Sequence, residues 1–527
     1  MRHLLRGGIV GGGVGIVLTA FFYLGERLFR LPFLPFDLFD WLARVLPGDL
    51  VTLGIDSVVN FILAFNIGDS TSATAKLIEQ LLALALFVFL WVVVGLIAAG
   101  VSRHGRFSTR QAGLTAALLL GGTLALALNL PGVTDPPGLA WELALLALGG
   151  WAVGWLLAAD SAASETAAAG RRGFLLRFGG AVLGLTLGAW GIGRLFGRAP
   201  ADTGAAQALQ TGGGGMDLAA GATDPAALAD RIAPAPGTRP EITPTGEFYR
   251  IDINTRPPVI AEADWQLEVA GLFDNPRSLT LADLMALPAV TQPLTLSCIS
   301  NRIGGDLISS ANWTGVRLGV LLDELGLQPA ARELAIEAAD GFYESVAMAD
   351  MMDPRTLLVY AMNGETLPQE HGFPLRIYIP NRYGMKQPKW ITRIEAIPGE
   401  GAGYWVDRGW SAEARPHVIS IIDSVAVDAR TADGRIPIGG IAWAGDRGIE
   451  QVEVQVDDGA WQPAALRLPP RSSLTWVQWR YDWPAASGEH TFRVRATDGD
   501  GMLQIGEASD VRPDGATGYH SVTREIG

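Results

Sequence analysis

Cysteine is all but missing from this chain, with Cys298 the only one among 527 residues. One thiol excludes an internal disulfide, a thiolate zinc cluster and a c-type haem clip. Two readings of Cys298 remain: a small apolar side chain in a core, or one thiolate on a soft metal whose other ligands come from a cofactor. Histidine is scarce where a membrane haem would need it. Before residue 371 only His3 and His104 occur, each at the edge of an apolar run, so the facing axial pair of a transmembrane haem b is excluded. Basic residues are outnumbered, giving a net charge of −14 and a pI near 5.0. That balance excludes the basic surface that nucleic-acid binding demands.

Long apolar runs are plentiful, but almost only in the first two hundred residues. Leu4 to Phe29, Leu77 to Val101, Ala112 to Leu130, Trp141 to Ala158 and Phe174 to Phe196 each meet the length of about 20 residues that a bilayer core requires. Leu50 to Ile67 is similar in length, but Asp49, Asp56, Asn60 and Asn66 punctuate it, so an interfacial or re-entrant segment is expected there. The positive-inside rule supports five spans. Arg2 and Arg6 precede the first, and Arg103, Arg106 and Arg110 lie between the second and third, so both basic segments fall on the cytoplasmic side. Everything after Phe196 is then expected outside the cytoplasm, with the spans serving as an anchor or partner-docking surface. Gly170-Arg171-Arg172-Gly173-Phe174-Leu175-Leu176-Arg177 reads as a cytoplasmic charge anchor, and it also resembles the twin-arginine signal that exports folded proteins.

Four domains are expected. Residues 1–196 form an α-helical transmembrane bundle. Residues 197–244, rich in Ala, Gly, Pro and Thr, read as a flexible linker with one short helix near Pro225 to Ile232. Residues 245–414 mix short strands, such as Trp265-Gln-Leu-Glu-Val-Ala-Gly271, with short helices at Leu279 to Leu287 and Val320 to Leu325, an α+β pattern. Residues 415–527 alternate apolar and polar side chains at Ile449 to Val456 and Glu489 to Ala496, which predicts an immunoglobulin-like β-sandwich.

Across nearly all of residues 245 to 527 the ordered segments resemble the sulfite oxidase family of molybdenum enzymes. They are Glu247-Phe-Tyr-Arg250, Trp265 to Gly271, Leu296-Ser-Cys298-Ile-Ser-Asn301-Arg302, Trp313-Thr-Gly-Val316, Tyr360 to Glu365, His371-Gly-Phe-Pro-Leu-Arg376 and Tyr383-Gly-Met-Lys386-Gln-Pro-Lys389-Trp390. The resemblance implies a molybdenum-molybdopterin cofactor whose metal is held by the Cys298 thiolate and by the two dithiolene sulfurs of one pterin. It implies binding positions for the pterin at Tyr249, Arg250, His371, Arg376, Gln387 and Lys389, with Lys386 as a neighbour. Arg302 is left with two roles, a cation at the substrate or an ion-pair partner of Asp306.

The chain departs from the family where substrate arginines are expected. Ile303 occupies one such position, Trp410 stands near that of an active-site tyrosine, and Pro513-Asp514-Gly515 lies where another arginine would be. Each charge-assisted bond to an oxyanion contributes about 1.5–3 kcal/mol, so these losses weaken the case for sulfite. The first function the resemblance implies is a membrane-anchored oxidoreductase that oxidises sulfite or a related small oxyanion by oxygen-atom transfer. A sulfoxide reductase acting on protein methionine sulfoxide is the second, and a cofactor-free binding module of a membrane complex is the third. Either enzyme needs a separate electron partner, a cytochrome or a membrane redox protein, and the family's sandwich implies a homodimer.

Overall fold

The computed structural model describes residues 2–65, 67–68, 70–102, 108–129, 136–161, 169–196, 217–218, 224, 227–229 and 231–527. They divide into two compact units, one of Met1–Ile67, Ala73–Asp202 and Asn254–Arg256, the other of Gly68–Ser72, Thr203–Ile253 and Pro257–Gly527.

The first unit is helical. Five helices are long and apolar enough to cross a membrane by length and composition: His3–Phe29, Gly48–Phe65, Thr71–Ser102, Pro136–Ala158 and Leu176–Phe196. Membership of this set differs from expectation at two places. Gly48–Phe65 is one continuous helix of 18 residues, so its scattered Asp and Asn do not interrupt it. The segment expected as a single span from Ala112 is instead Thr109–Ala117 and Thr123–Asn129 joined by a π-helical stretch, Leu118–Gly122, that admits an extra residue per turn. Glycine is required where helices meet backbone to backbone. A Cβ on Gly95 would lie 2.0 Å from the Gly7 carbonyl oxygen, and one on Gly11 would lie 2.1 Å from that of Trp91. The twin-arginine segment begins the helix Ala169–Phe196, but the side chains of 171–175 lie outside the described residues. Asn254–Arg256, expected to lie within the soluble α+β domain, belongs to this first unit. The Thr255 N–H donates to Asp40 at 2.9 Å, and Arg256 pairs with Glu26.

The second unit holds four sheets. The sheet that carries Cys298 runs in the order Asp217–Leu218, Ala289–Ser297, Ile308–Arg317, Leu357–Met362 and Arg376–Tyr378. Its neighbour runs Ser278–Leu279, Leu267–Gly271, Ile391–Ile397, Glu333–Ala338 and Tyr343–Ala347. Both share a core that includes Leu294, Trp313, Ile377 and Ile394. The helices between strands are short because their signals are short. Leu281–Met285 starts on a capping box of Thr280 and Asp283, which satisfies two end donors reciprocally. Two four-stranded antiparallel sheets follow, one of Ile419–Val425, Ile436–Trp443, Val477–Trp483 and Ala465–Leu466, the other of Gln462–Pro463, Ile449–Val456, Gly488–Asp498 and His520–Ile526. Trp479 and Phe492 meet in the core between them.

The expected linker is not loose throughout. Asp217 and Leu218 pair in parallel with Val290 and Thr291. Arg239 forks onto Asp423 at 2.6 Å, Ala235 is buried, and the Thr243 N–H donates to Ser310 at 2.7 Å. The short helix expected near Pro225 falls partly outside the described residues, which show a turn at 227–229. Arg239→Ala should cost about 1.5–3 kcal/mol, the range for a charge-assisted hydrogen bond. Limited proteolysis checks this: residues 231–244 should resist a nonspecific protease in the native protein and be cut faster in the variant, and equal rates would contradict the packing.

Candidate functional site

Cys298 directly follows the strand Ala289–Ser297, where backbone pairing fixes its direction. Its N–H donates to the Leu307 carbonyl at 2.9 Å and its carbonyl accepts from Asn301 N–H at 3.1 Å, so the chain turns sharply after it. The Asn301 side-chain oxygen closes that turn by accepting from Leu307 N–H at 3.0 Å. The thiol is buried, which pushes its pKa up, and a contact to the Ser300 hydroxyl at 3.0 Å pulls the other way. A bound metal would reverse that protonation by holding the sulfur as thiolate.

One side of Cys298 is a cation-rich cradle. Arg376 is buried, sits 4.8 Å over the Trp313 ring and donates to the His371 carbonyl at 3.1 Å; burial lowers its pKa to about 10. Lys389 lies 4.5 Å over Trp390 and pairs with Asp252, which Arg250 also engages. Burial pushes the Lys389 pKa down and the Tyr249 pKa well up, and Tyr249 is close enough to feel both Cys298 and Arg376. His371 is lowered to about 3, first by burial and then by Arg376 and Lys389, so it is neutral and its Nε2 lies 3.2 Å from the Thr245 carbonyl.

The fit of molybdopterin to this place rests on what is left over. Arg250 has a buried guanidinium nitrogen, and Gln387 a buried carbonyl oxygen, with no hydrogen-bond partner. Gly372, in the left-handed region at φ 112°, leaves open the space where a Cβ would lie 3.0 Å from that of Lys389 and 3.1 Å from that of Arg376. Surplus cations suit a phosphate, and unspent donors and acceptors suit the edge of a pterin. Tyr249, Arg250, His371, Arg376, Gln387 and Lys389 would hold the group there.

The other side of Cys298 is a small cavity lined by Arg302, Ile303, Tyr383, Ile419, Ile421 and Ala516, with Ser297, Asn301, Gly304 and Ser420 completing it. The Asp306 carboxylate accepts from Thr71 N–H at 2.9 Å, and Arg302 lines the cavity. Trp410 packs in the same apolar cluster as Ile299 and Tyr383, with Arg512 4.9 Å over its ring. Lys386, expected beside the pterin, is instead buried against Glu344 at 2.7 Å. Asp252, Ser300 and the C-terminal wall of the cavity were not found by sequence reasoning. Only Asp252 left a signal, an acid two residues after Arg250.

His371 makes a pH prediction. Between pH 3 and its ordinary value of 6.5 the unfolded chain binds a proton that the native imidazole refuses. Native stability carries no penalty from this residue above that window and loses ground as pH falls through it. In His371→Gln the slope of unfolding free energy against pH should flatten there, by up to about 1.4 kcal/mol per pH unit. An unchanged slope would contradict the neutral, buried assignment.

Comparison with known proteins follows the same residues. The family described as oxidoreductase molybdopterin binding domain matches residues 254–405. Sulfite oxidase of Arabidopsis thaliana is 29% identical over 325 residues, covering 52% of this chain and 82% of the plant enzyme. A protein of Azospira oryzae whose name proposes a protein-methionine-sulfoxide reductase subunit is 34% identical over 149 residues, 28% of this chain and 55% of that one. An oxidoreductase of Bacillus subtilis is 31% identical over 152 residues, 29% of this chain and 75% of that protein. The chain spans about half the length of the mitochondrial sulfite oxidases of Drosophila melanogaster and Homo sapiens, 51% and 48%. The chain belongs to the sulfite oxidase family of molybdenum-dependent oxidoreductases, with molybdenum-molybdopterin as its cofactor.

Proposed function

We propose that this chain is a membrane-anchored enzyme of oxygen-atom transfer, with Cys298 ligating the molybdenum and the N-terminal helices holding the catalytic unit on the extracytoplasmic side. Export of the folded unit through the twin-arginine segment agrees with a cofactor loaded before crossing. The paired C-terminal sheets are an immunoglobulin-like sandwich through which two copies associate.

A neutral sulfoxide, reduced to the sulfide, is the substrate this reading favours. The observation that carries it is the lining beside Cys298, where Ile303, Ile419, Ile421 and Ala516 supply apolar wall and Arg302 is the one charged residue. An anionic sulfite would need several charge-assisted bonds to replace its hydration, whereas one guanidinium suffices to orient a sulfoxide oxygen. The cofactor supplies two-electron oxygen-atom exchange when bound. Arg302 donates to the substrate oxygen. The Tyr383 hydroxyl oxygen accepts from His417 N–H at 3.1 Å, which leaves its own proton for the cavity. Burial raises its pKa to about 12, so Tyr383 remains a donor across the physiological range. The reaction consumes two protons and two electrons per oxygen released as water, the electrons coming from a separate cytochrome or membrane redox protein.

Oxidation of sulfite or a related oxyanion is the second reading, supported by Arg302 and by the plant and animal relatives' names. Steady-state assays with artificial electron carriers separate the two. Saturable reduction of dimethyl sulfoxide and methionine sulfoxide, with weak sulfite turnover, is expected; efficient sulfite oxidation at micromolar substrate would overturn the preference. Ile303→Arg should raise kcat/KM for sulfite by roughly tenfold to a hundredfold, one charge-assisted bond's worth.

A further inference from the structure

The turn after Cys298 carries a hydroxyl that belongs neither to the cation-rich cradle nor to the cavity wall. Ser300 is partly buried, it is absent from the residues that line the cavity, and its Oγ lies 3.0 Å from the Cys298 sulfur. Between a thiol and a hydroxyl either atom can donate. A sulfur held on a metal has lost its proton, so there the Ser300 hydroxyl must be the donor and the sulfur the acceptor.

The turn itself does not depend on this hydroxyl. Asn301 closes it, donating its N–H to the Cys298 carbonyl at 3.1 Å and accepting Leu307 N–H on its side-chain oxygen at 3.0 Å. Gly305 seals the far side, where its N–H donates to the Arg302 carbonyl at 2.9 Å and a Cβ would lie 2.4 Å from the Asn301 side-chain oxygen. Ser300 is not among the residues of positive φ, so any small side chain fits the same backbone. Among the described residues the hydroxyl's side-chain hydrogen bond is the one to Cys298.

We propose that Ser300 is a positioning residue that acts through Cys298, donating a hydrogen bond to the thiolate and so raising the reduction potential of the molybdenum it holds. This rests on the reading of Cys298 as the metal's ligand. The physical ground is charge. Reduction makes the centre more negative, and the ligating sulfur shares that charge. A donor on the sulfur stabilises the more negative state by more than the less negative one, which favours the reduced form. The N–H groups of Ile299 and Ser300 act on the sulfur in the same sense, as does Lys389 from further away. Those contributions belong to the backbone and to the cradle. The hydroxyl is the part that a side-chain substitution removes while the turn stays closed. A centre that is easier to reduce can be filled by a milder electron donor.

Redox titration of the purified holoenzyme, followed by the paramagnetic signal of the metal, reads the potential without any substrate. Ser300→Ala and Ser300→Gly, each loaded with molybdenum, should show lower potentials, by about a tenfold change in the reduction equilibrium, which is ~59 mV for a one-electron couple. Ser300→Thr keeps the hydroxyl and should keep the native potential. An unchanged or higher potential in either hydroxyl-free variant would overturn the proposal, whatever its activity or thermal stability. So would a Ser300→Thr potential as low as that of Ser300→Ala, because packing would then account for the shift. If one hydroxyl-free variant fails to hold molybdenum the other decides, and failure of both would assign Ser300 to building the turn and overturn the proposal as well. X-ray absorption of the native protein keeps the parent reading separate: a metal with no sulfur neighbour beyond the dithiolene pair refutes Cys298 as ligand, whereas a native sulfur shell with an insensitive potential refutes Ser300 alone.

Discussion

Positive charge withdrawn from water is the constraint on which the catalytic unit depends. Arg250, Arg376 and Lys389 converge with Asp252 as the carboxylate that engages two of them, and Arg376 is answered by a carbonyl and an indole face. Uncompensated buried cations are costly, so this arrangement persists because an anionic group completes it. Much nearby detail serves that end. His371 is kept neutral where a fourth cation would be ruinous, and Gly372 takes a left-handed turn that only a missing side chain leaves open. The strands Ala289–Ser297 and Ile308–Arg317 fix the position of Cys298 relative to these cations by continuous pairing over nine residue pairs.

The parts of this arrangement that were legible in the sequence lie in dense local motifs. Tyr249 and Arg250 occupy one such run, Cys298 and Arg302 another, and Arg376 and Lys389 two more, each short enough that order along the chain fixes order in space. Lys386 was misread because a 3₁₀ turn rotates successive side chains by about 120°, so a neighbour in sequence can face another layer. Here it faces Glu344, 42 residues away. Asp252 was missed for the same kind of reason, since its partner Lys389 lies 137 residues further on. The linker expectation failed at 231–244 because Ala, Gly and Pro also suit an extended segment laid along a sheet, where Arg239 anchors it to Asp423.

Substrate identity was the least legible property, and the cavity explains why. Its wall is assembled from the turn after Cys298, from Tyr383, from the strand Ile419–Val425 and from Ala516, which are far apart in sequence. Ile303 was readable as a lost charge, but Ile419, Ile421 and Ala516 look like ordinary β-strand and loop residues until the fold brings them beside the thiol. In the helical unit, the polar residues that led Leu50 to Ile67 to be expected as interfacial or re-entrant sit within one continuous helix, Gly48–Phe65, long and apolar enough to cross a membrane, because backbone hydrogen bonding within a helix tolerates isolated Asp and Asn side chains.

Whether Cys298 is the protein's ligand to molybdenum is the claim on which everything else turns. X-ray absorption at the molybdenum edge, recorded on the native protein and on Cys298→Ala, measures the sulfur neighbours of the metal directly. The dithiolene sulfurs plus one more are expected in the native protein, and the variant should lose that one while retaining its fold. An unchanged sulfur shell in a variant loaded with molybdenum would contradict the account.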